Sequence, residues 1–195
     1  MNEPIPTIDD VIQTVFGGAF DESTGIKRRR VQQVEQDLRA YIHAEVDRYL
    51  TDDERTLLSA EREFNPDGAA CRALDAEVLL SALTEFIAPP YLASDLLVRR
   101  AQLNLADALV GYIAHDLLHD YDTSCIRIDF RWALVRARNM LKRERRAQAA
   151  ERALAKMTVQ EREHLERMIG RVSDRRSLTM PENEVRRPTI DPSFE

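Results

Sequence analysis

Between Tyr91 and Met180 the chain has no proline and only two glycines, Gly111 and Gly170. Ala, Leu, Arg and Glu dominate this stretch, and a segment so rich in helix formers and so poor in breakers has little alternative to helix. Few folds are compatible with ninety such residues. The spacing of apolar residues elsewhere extends the expectation to an all-α irregular bundle of about six or seven helices.

The expected elements follow in order. Thr7 and Asp10 cap a short helix carrying Val11, Ile12, Val15 and Phe16, with Gly17-Gly18 as its stop. Val31, Val34, Leu38, Ile42, Val46 and Tyr49, spaced by three and four, predict a second helix reaching about Leu50. Thr51 and Glu54 form a capping box that opens a third, with Leu57, Leu58 and Phe64, ended by the turn residues Asn65 to Gly68. A fourth runs from about Ala69 to Ile87, breakable near Asp75, and closes before Pro89-Pro90. Ser94 is the expected cap of a central helix with two apolar stripes, Leu97-Ala101-Leu105-Ala108-Tyr112 and Leu103-Ala106-Val110-Ile113-Leu117, which would bury it on most sides. Gly111 is then a place for close backbone approach.

The sixth helix, from 125 or 129 to 156, turns Phe130, Leu134, Ala137 and Leu141 inward and is polar almost all round after Leu141. Thr158 and Glu161 open a short helix ending at Gly170. The expected domain layout is a single helical domain over 1–172, with 142–172 as a projecting arm, and a disordered tail over 173–195.

The whole chain has a net charge of −6. Residues 126–156 hold ten Lys or Arg against Asp129, Glu144 and Glu151, so this helix carries +7 and the remainder −13. A cationic helix on an acidic chain can meet phosphate or an acidic protein surface. Arg131, Arg138, Lys142, Arg143, Arg145 and Arg146 are therefore the candidate partner-binding or nucleic-acid-binding residues. Phe130 and Trp132 are the only aromatic residues in the helix, and Phe130 belongs to the core, so base stacking on single strands is disfavoured.

The second constellation is His115-Asp116-Leu117-Leu118-His119-Asp120. Histidines at i and i+4 share a helix face, as they do in the His-Glu-x-x-His helices that bind zinc in metalloproteases. Here Asp116 replaces the Glu, and no third ligand follows at a recognised spacing. Three aspartates, Asp116, Asp120 and Asp122, also crowd a helix C-terminus, where the dipole disfavours them unless a cation intervenes. Asp116-x-x-His119 and Glu161-x-x-His164 echo the paired motifs of di-iron bundles, with Glu35 or Glu45 and Glu144 or Glu151 as further ligands. An arrangement like that of HD-type phosphohydrolases would use His115-Asp116 with His43.

The glycine total of six and the absence of Gly-rich phosphate loops argue against a nucleotide cofactor. Cys71 and Cys125 lie far apart and are expected to be buried, reduced thiols. The opening residues lack a signal-peptide pattern and no long apolar run occurs, so the expected location is cytoplasmic, without membrane contact.

The functional expectation is a non-catalytic interaction or regulatory module, acting through the basic helix on a protein partner or as a homo-oligomer, with nucleic acid as an additional contact. No catalytic residue and no cofactor are assigned. The alternative is a metal-dependent enzyme or metal-binding protein, with His115, His119, Asp116 and Asp120 holding a divalent ion such as zinc or iron.

Overall fold

The computed structural model describes residues 5–158 together with residues 160, 161 and 164. Its contacts divide the chain into two units, Met1–Arg146 and Ala147–Glu195. Seven α-helices occur among the described residues: α1 (Ile8–Asp21), α2 (Gly25–Glu45), α3 (Asp52–Phe64), α4 (Ala69–Ala73), α5 (Ala76–Phe86), α6 (Leu96–Tyr112) and α7 (Ser124–Lys156). A 3-10 turn follows α2 at Val46–Arg48, and a π turn follows α6 at Ile113–Leu117. No strand is present among the described residues, and the protein is all-α.

Within the first unit α2 packs mainly on α6, with α1 laid across both. The core is the one the periodicity predicts for α2 and α5: Val34, Leu38, Ile42, Leu79, Leu83 and Phe86 are all essentially sealed from solvent. Each such side chain contributes roughly 1.5–3 kcal/mol through burial. The N-terminal segment is stitched to the break between α4 and α5, where Ile8 N donates to Leu74 O at 2.9 Å and Ala76 N to Pro6 O at 3.1 Å. Those two bonds explain the break, because Leu74 O and Ala76 N are spent on another segment instead of a continuous helical ladder. Asp75 then caps α5 by accepting from the amides of Glu77 and Val78.

Both expected capping boxes form, and the cap expected at Thr7 proves to be a third. Thr7 with Asp10, Thr51 with Glu54 and Thr158 with Glu161 each satisfy both partners' backbone amides.

Several expectations need correction. The helix α1 passes through Gly17 and Gly18 to Asp21, and the extra turn lets Phe20 pack partly on the core, with Arg28 over its ring at 5.7 Å. Two interior glycines cost about 1 kcal/mol each relative to alanine, a penalty that contact offsets. In α3 only Leu58 is buried, while Leu57 and Phe64 face solvent, since the element beside it is the five-residue α4, too short to cover a wide face. Cys71 is buried, and burial pushes its thiol pKa up, but Cys125 is exposed.

The largest correction concerns α6. Asp95, not Ser94, is its cap: the carboxylate accepts from Leu97 N at 2.7 Å and Val98 N at 2.9 Å, which holds its pKa below the usual carboxylate range. Only one broad face of α6 meets the core, through Leu103, Ala106, Leu109, Val110 and Ile113. The other stripe is partly open, with Leu97 43% exposed and Ala108 exposed. A side chain at Gly111 would meet nothing within 4 Å, so that glycine marks open space, not close backbone approach.

The expected helix end at Gly170 and the expected tail lie outside the described residues. No helix of the described residues is long and apolar enough to cross a membrane.

Candidate partner-binding face and the histidine cluster

Phe130, Leu134, Ala137 and Leu141 are buried, as their spacing predicts, and they seat the first part of α7. Two polar side chains of α6 hold it further. Arg99, 9% exposed, donates from Nη1 to Glu144 Oε2 at 2.7 Å and from Nε to Ala93 O at 2.7 Å. Arg138 Nη2 meets Asp107 Oδ2 at 2.9 Å. Beside Arg99, Gln102 is fully satisfied: its amide donates to Phe86 O and Tyr91 O while its oxygen accepts from Ala93 N. These two residues thus hold the proline-containing loop after α5, and Arg99 also holds α7.

The side of α7 opposite the core is equally periodic. Ile128, Trp132 and Val135 recur at spacings of four and three, and they are 55%, 73% and 49% exposed. At 100° per residue, Asn139, Lys142, Arg143 and Arg146 continue that face. One side of the helix therefore reads apolar for two turns and then cationic. The same three-and-four spacing is present in the sequence, but the inward stripe by itself accounts for the helix, so the sequence does not single out the apolar half of this face.

The six candidate cations part company here. Arg138 is held by Asp107, whereas Arg131, Lys142, Arg143, Arg145 and Arg146 form no ion pair among the described residues. Arg138, Lys142 and Arg145 line a groove with Arg100 and Asn104 of α6, floored by Leu103 and Leu141. Arg143 and Arg146 lie on the outward face with Trp132.

The histidine cluster is spread out by the π turn. Ile113 and Leu118, five residues apart, are both buried, and a five-residue turn brings the second beneath the first, with Leu118 N donating to Ile113 O at 2.8 Å. The helix ends there, so His119 lies beyond it in the following turn. Its ring is 3.4 Å from the carboxylate of its neighbour Asp120. His115 points elsewhere: its Nε2 is 3.4 Å from Nη2 of Arg127. Arginine has no acceptor, so this contact requires a lone pair on Nε2 and leaves a cation where a metal would bind. Asp116 and Asp120 are exposed. Among the described residues no group of three His, Cys, Asp or Glu side chains is gathered closely enough to hold a metal. His43 sits on α2, and Glu144, one of the acids considered for a di-iron site, is engaged by Arg99. His115 instead lines a hollow of about 440 Å³ with Asp107, Gly111, Ser124, Arg127 and Arg131.

A polar cluster that the sequence did not suggest joins α2, the 3-10 turn that follows it and α5. Tyr41 and Tyr49 share a hydroxyl hydrogen bond of 2.9 Å, Tyr49 donates to Glu85 at 2.6 Å, and Arg48 bridges Glu45 and Glu85. Burial, with the neighbouring carboxylate, pushes the Tyr49 pKa up to about 12. Its members satisfy one another, which is the arrangement of a structural tie. No family model matches this chain, nor does any curated protein or solved structure.

Proposed function

We infer that this chain is a non-catalytic interaction module that docks the outward face of α7 on an acidic protein partner. The observation that carries the reading is Trp132, 73% exposed between Ile128 and Val135, with Lys142, Arg143 and Arg146 continuing the same face. Exposed tryptophan flanked by arginine is the composition of interface hot spots, and an aligned apolar stripe is poorly used against water. Phosphate backbones need cations but not the apolar half, so a protein partner uses more of this face than nucleic acid does.

The order of the face also bears on its partner. An antiparallel twin would set cations against apolar side chains, and a parallel twin would set cations against cations. An acidic hetero-partner with an apolar groove at one end fits both halves.

The test places a photo-crosslinking residue at position 132 and, as control, at the exposed position 63 of α3, identifies what position 132 captures, and measures its affinity. Trp132→Ala is expected to weaken binding by about thirtyfold or more, the loss of a hot spot worth about 2 kcal/mol. The pair Arg143→Glu and Arg146→Glu should lower affinity and flatten its salt dependence. The reading fails if the chain binds nucleic acid with steep salt dependence and Trp132→Ala leaves that affinity intact, or if position 132 captures only a second copy of the chain.

A further inference from the structure

A second group of cations, at the start of α2, forms no ion pair among the described residues, although Arg30 lies near enough to Asp95 to add to the lowering of its pKa by the amides of Val98 and Leu97. Lys27, Arg28, Arg29 and Arg30 crowd the first turns of a helix whose N-terminal turn holds no acid, and its N-cap, Thr24, makes no side-chain capping bond. This reverses the usual arrangement, because the positive end of the helix dipole favours negative charge. Arg28 is directed to the Phe20 ring. Lys27 and Arg30 instead line a hollow of about 430 Å³ between α2 and α6, together with Arg100 and Asn104.

Ser23 lines the same hollow and is 3% exposed, and its hydroxyl has no hydrogen-bond partner among the described residues. Leaving a buried hydroxyl unpaired costs roughly 1–3 kcal/mol, a cost that an acceptor bound beside it would relieve. The rest of the wall is apolar: Ala19, Val31, Leu97, Ala101 and Leu105. Leu97, Ala101 and Leu105 are the first members of the α6 stripe that the periodicity assigned to the core. Here Leu97 and Ala101 border the hollow, which accounts for the 43% exposure of Leu97, while Leu105 lies in the core as expected. Glu22 is the single acid in the lining, against three cations.

We propose that this hollow binds a small amphipathic anion, its carboxylate or phosphate head held by Lys27, Arg30 and Arg100 beside the N-terminus of α2, and its apolar body laid on Val31, Leu97 and Leu105. Two guanidinium groups suit a planar or tetrahedral oxyanion equally well through paired N–H donors. A volume of this size suits a chain of several carbons and lies at the small end of ligand pockets. The site uses none of the residues assigned to the partner face of α7, so either can fail without the other.

Calorimetric titration of the full chain with octanoate, octyl phosphate, octanol and inorganic phosphate tests the proposal. At least one of the two amphipathic anions is expected to bind saturably, about tenfold or more tightly than octanol or inorganic phosphate. Arg30→Gln and Arg100→Gln should each weaken it by about tenfold, the loss of one charge-assisted hydrogen bond, while circular dichroism shows the fold retained. Ser23→Ala should weaken binding severalfold without lowering the melting temperature of the ligand-free chain, which separates a ligand contact from a packing role. Equal affinity for octanol would mean a merely apolar hollow, and equal affinity for inorganic phosphate a merely charged one. Either result overturns the proposal, as does full affinity in the Arg30→Gln, Arg100→Gln double variant, or binding to anionic lipid vesicles with none to the soluble probes.

Discussion

Every arginine between residues 39 and 72 holds a carboxylate: Arg39 with Asp9 and Glu35, Arg48 with Glu45 and Glu85, Arg55 with Asp52, Arg62 with Asp47 and Arg72 with Glu61. In α7, only Arg138 of ten Lys and Arg residues forms an ion pair among the described residues. The difference does not come from a shortage of acids on an acidic chain, since Asp116, Asp120 and Asp122 lie exposed just before α7. The arginines of the first region tie neighbouring segments together, whereas those of α7 leave a surface charged. Exposed pairs of the first kind contribute little stability, about 0–1 kcal/mol each, so their pairing matters more as neutralisation than as adhesive. The cations without an ion pair among the described residues gather chiefly on α7 and at the start of α2.

The sharpest way to break this contrast is to damage each region and compare folding. Leu83→Ala, at a site with no solvent exposure, is expected to cost about 2–5 kcal/mol in urea unfolding, because the helices around it cannot collapse fully into the space left. A loss below about 1 kcal/mol would mean that α5 is not the centre of the core. Next comes the tie between α6 and α7: Arg99→Met removes the donors to Ala93 O and Glu144, and should cost about 1–3 kcal/mol, chiefly from the carbonyl left without its donor, since Glu144 is 44% exposed and can turn to water. Hydrogen exchange should then show α7 losing protection while α2 and α5 keep theirs. If protection of α7 is unchanged, Phe130, Leu134, Ala137 and Leu141 hold the helix without help.

A smaller effect is expected from pH. The folded Asp95 carboxyl has its pKa below the ordinary value because it accepts two backbone amides, so its contribution is complete above the unfolded pKa and is lost as pH falls through the carboxylate range. Stability should therefore decline from about pH 5 to pH 3, and Asp95→Asn, which keeps an acceptor but cannot titrate, should show a shallower decline over that window. Identical slopes would mean that other carboxylates govern the acid limb. Smallest of all, Arg143→Glu with Arg146→Glu should change folding stability by no more than about 0.5 kcal/mol, since both side chains are exposed and form no ion pair among the described residues. A larger loss would show that the outer half of α7 serves the fold as the inner arginines do.

Much of the fold is legible in the order of residues. Phe130, Leu134, Ala137 and Leu141 face inward as their spacing demands, the three threonine boxes form, and Asp75 divides α4 from α5. Local rules suffice for the threonine boxes because their groups lie within four residues of one another, whereas the break at Asp75 is completed by the distant bonds with Pro6 and Ile8. Local rules fail where two periodic stripes share a helix. In α6 both stripes are apolar, yet Leu97 and Ala101 border a hollow; in α7 the inward stripe is covered and the stripe of Ile128, Trp132 and Val135 is not. Periodicity identifies a face without saying what covers it. The histidines fail for a related reason: a spacing of four implies a shared face only if the helix persists, and the demand to bury both Ile113 and Leu118 ends it in a π turn.

The chain order alone determined that this protein is helical, where most helices begin, and that its positive charge gathers on one helix, because propensity, capping and charge counts are short-range properties. Which stripes are buried, which arginines meet a carboxylate and which histidine meets a guanidinium were settled by long-range packing. Those outcomes depend on which distant segment lies alongside, and no local pattern of residues carries that information.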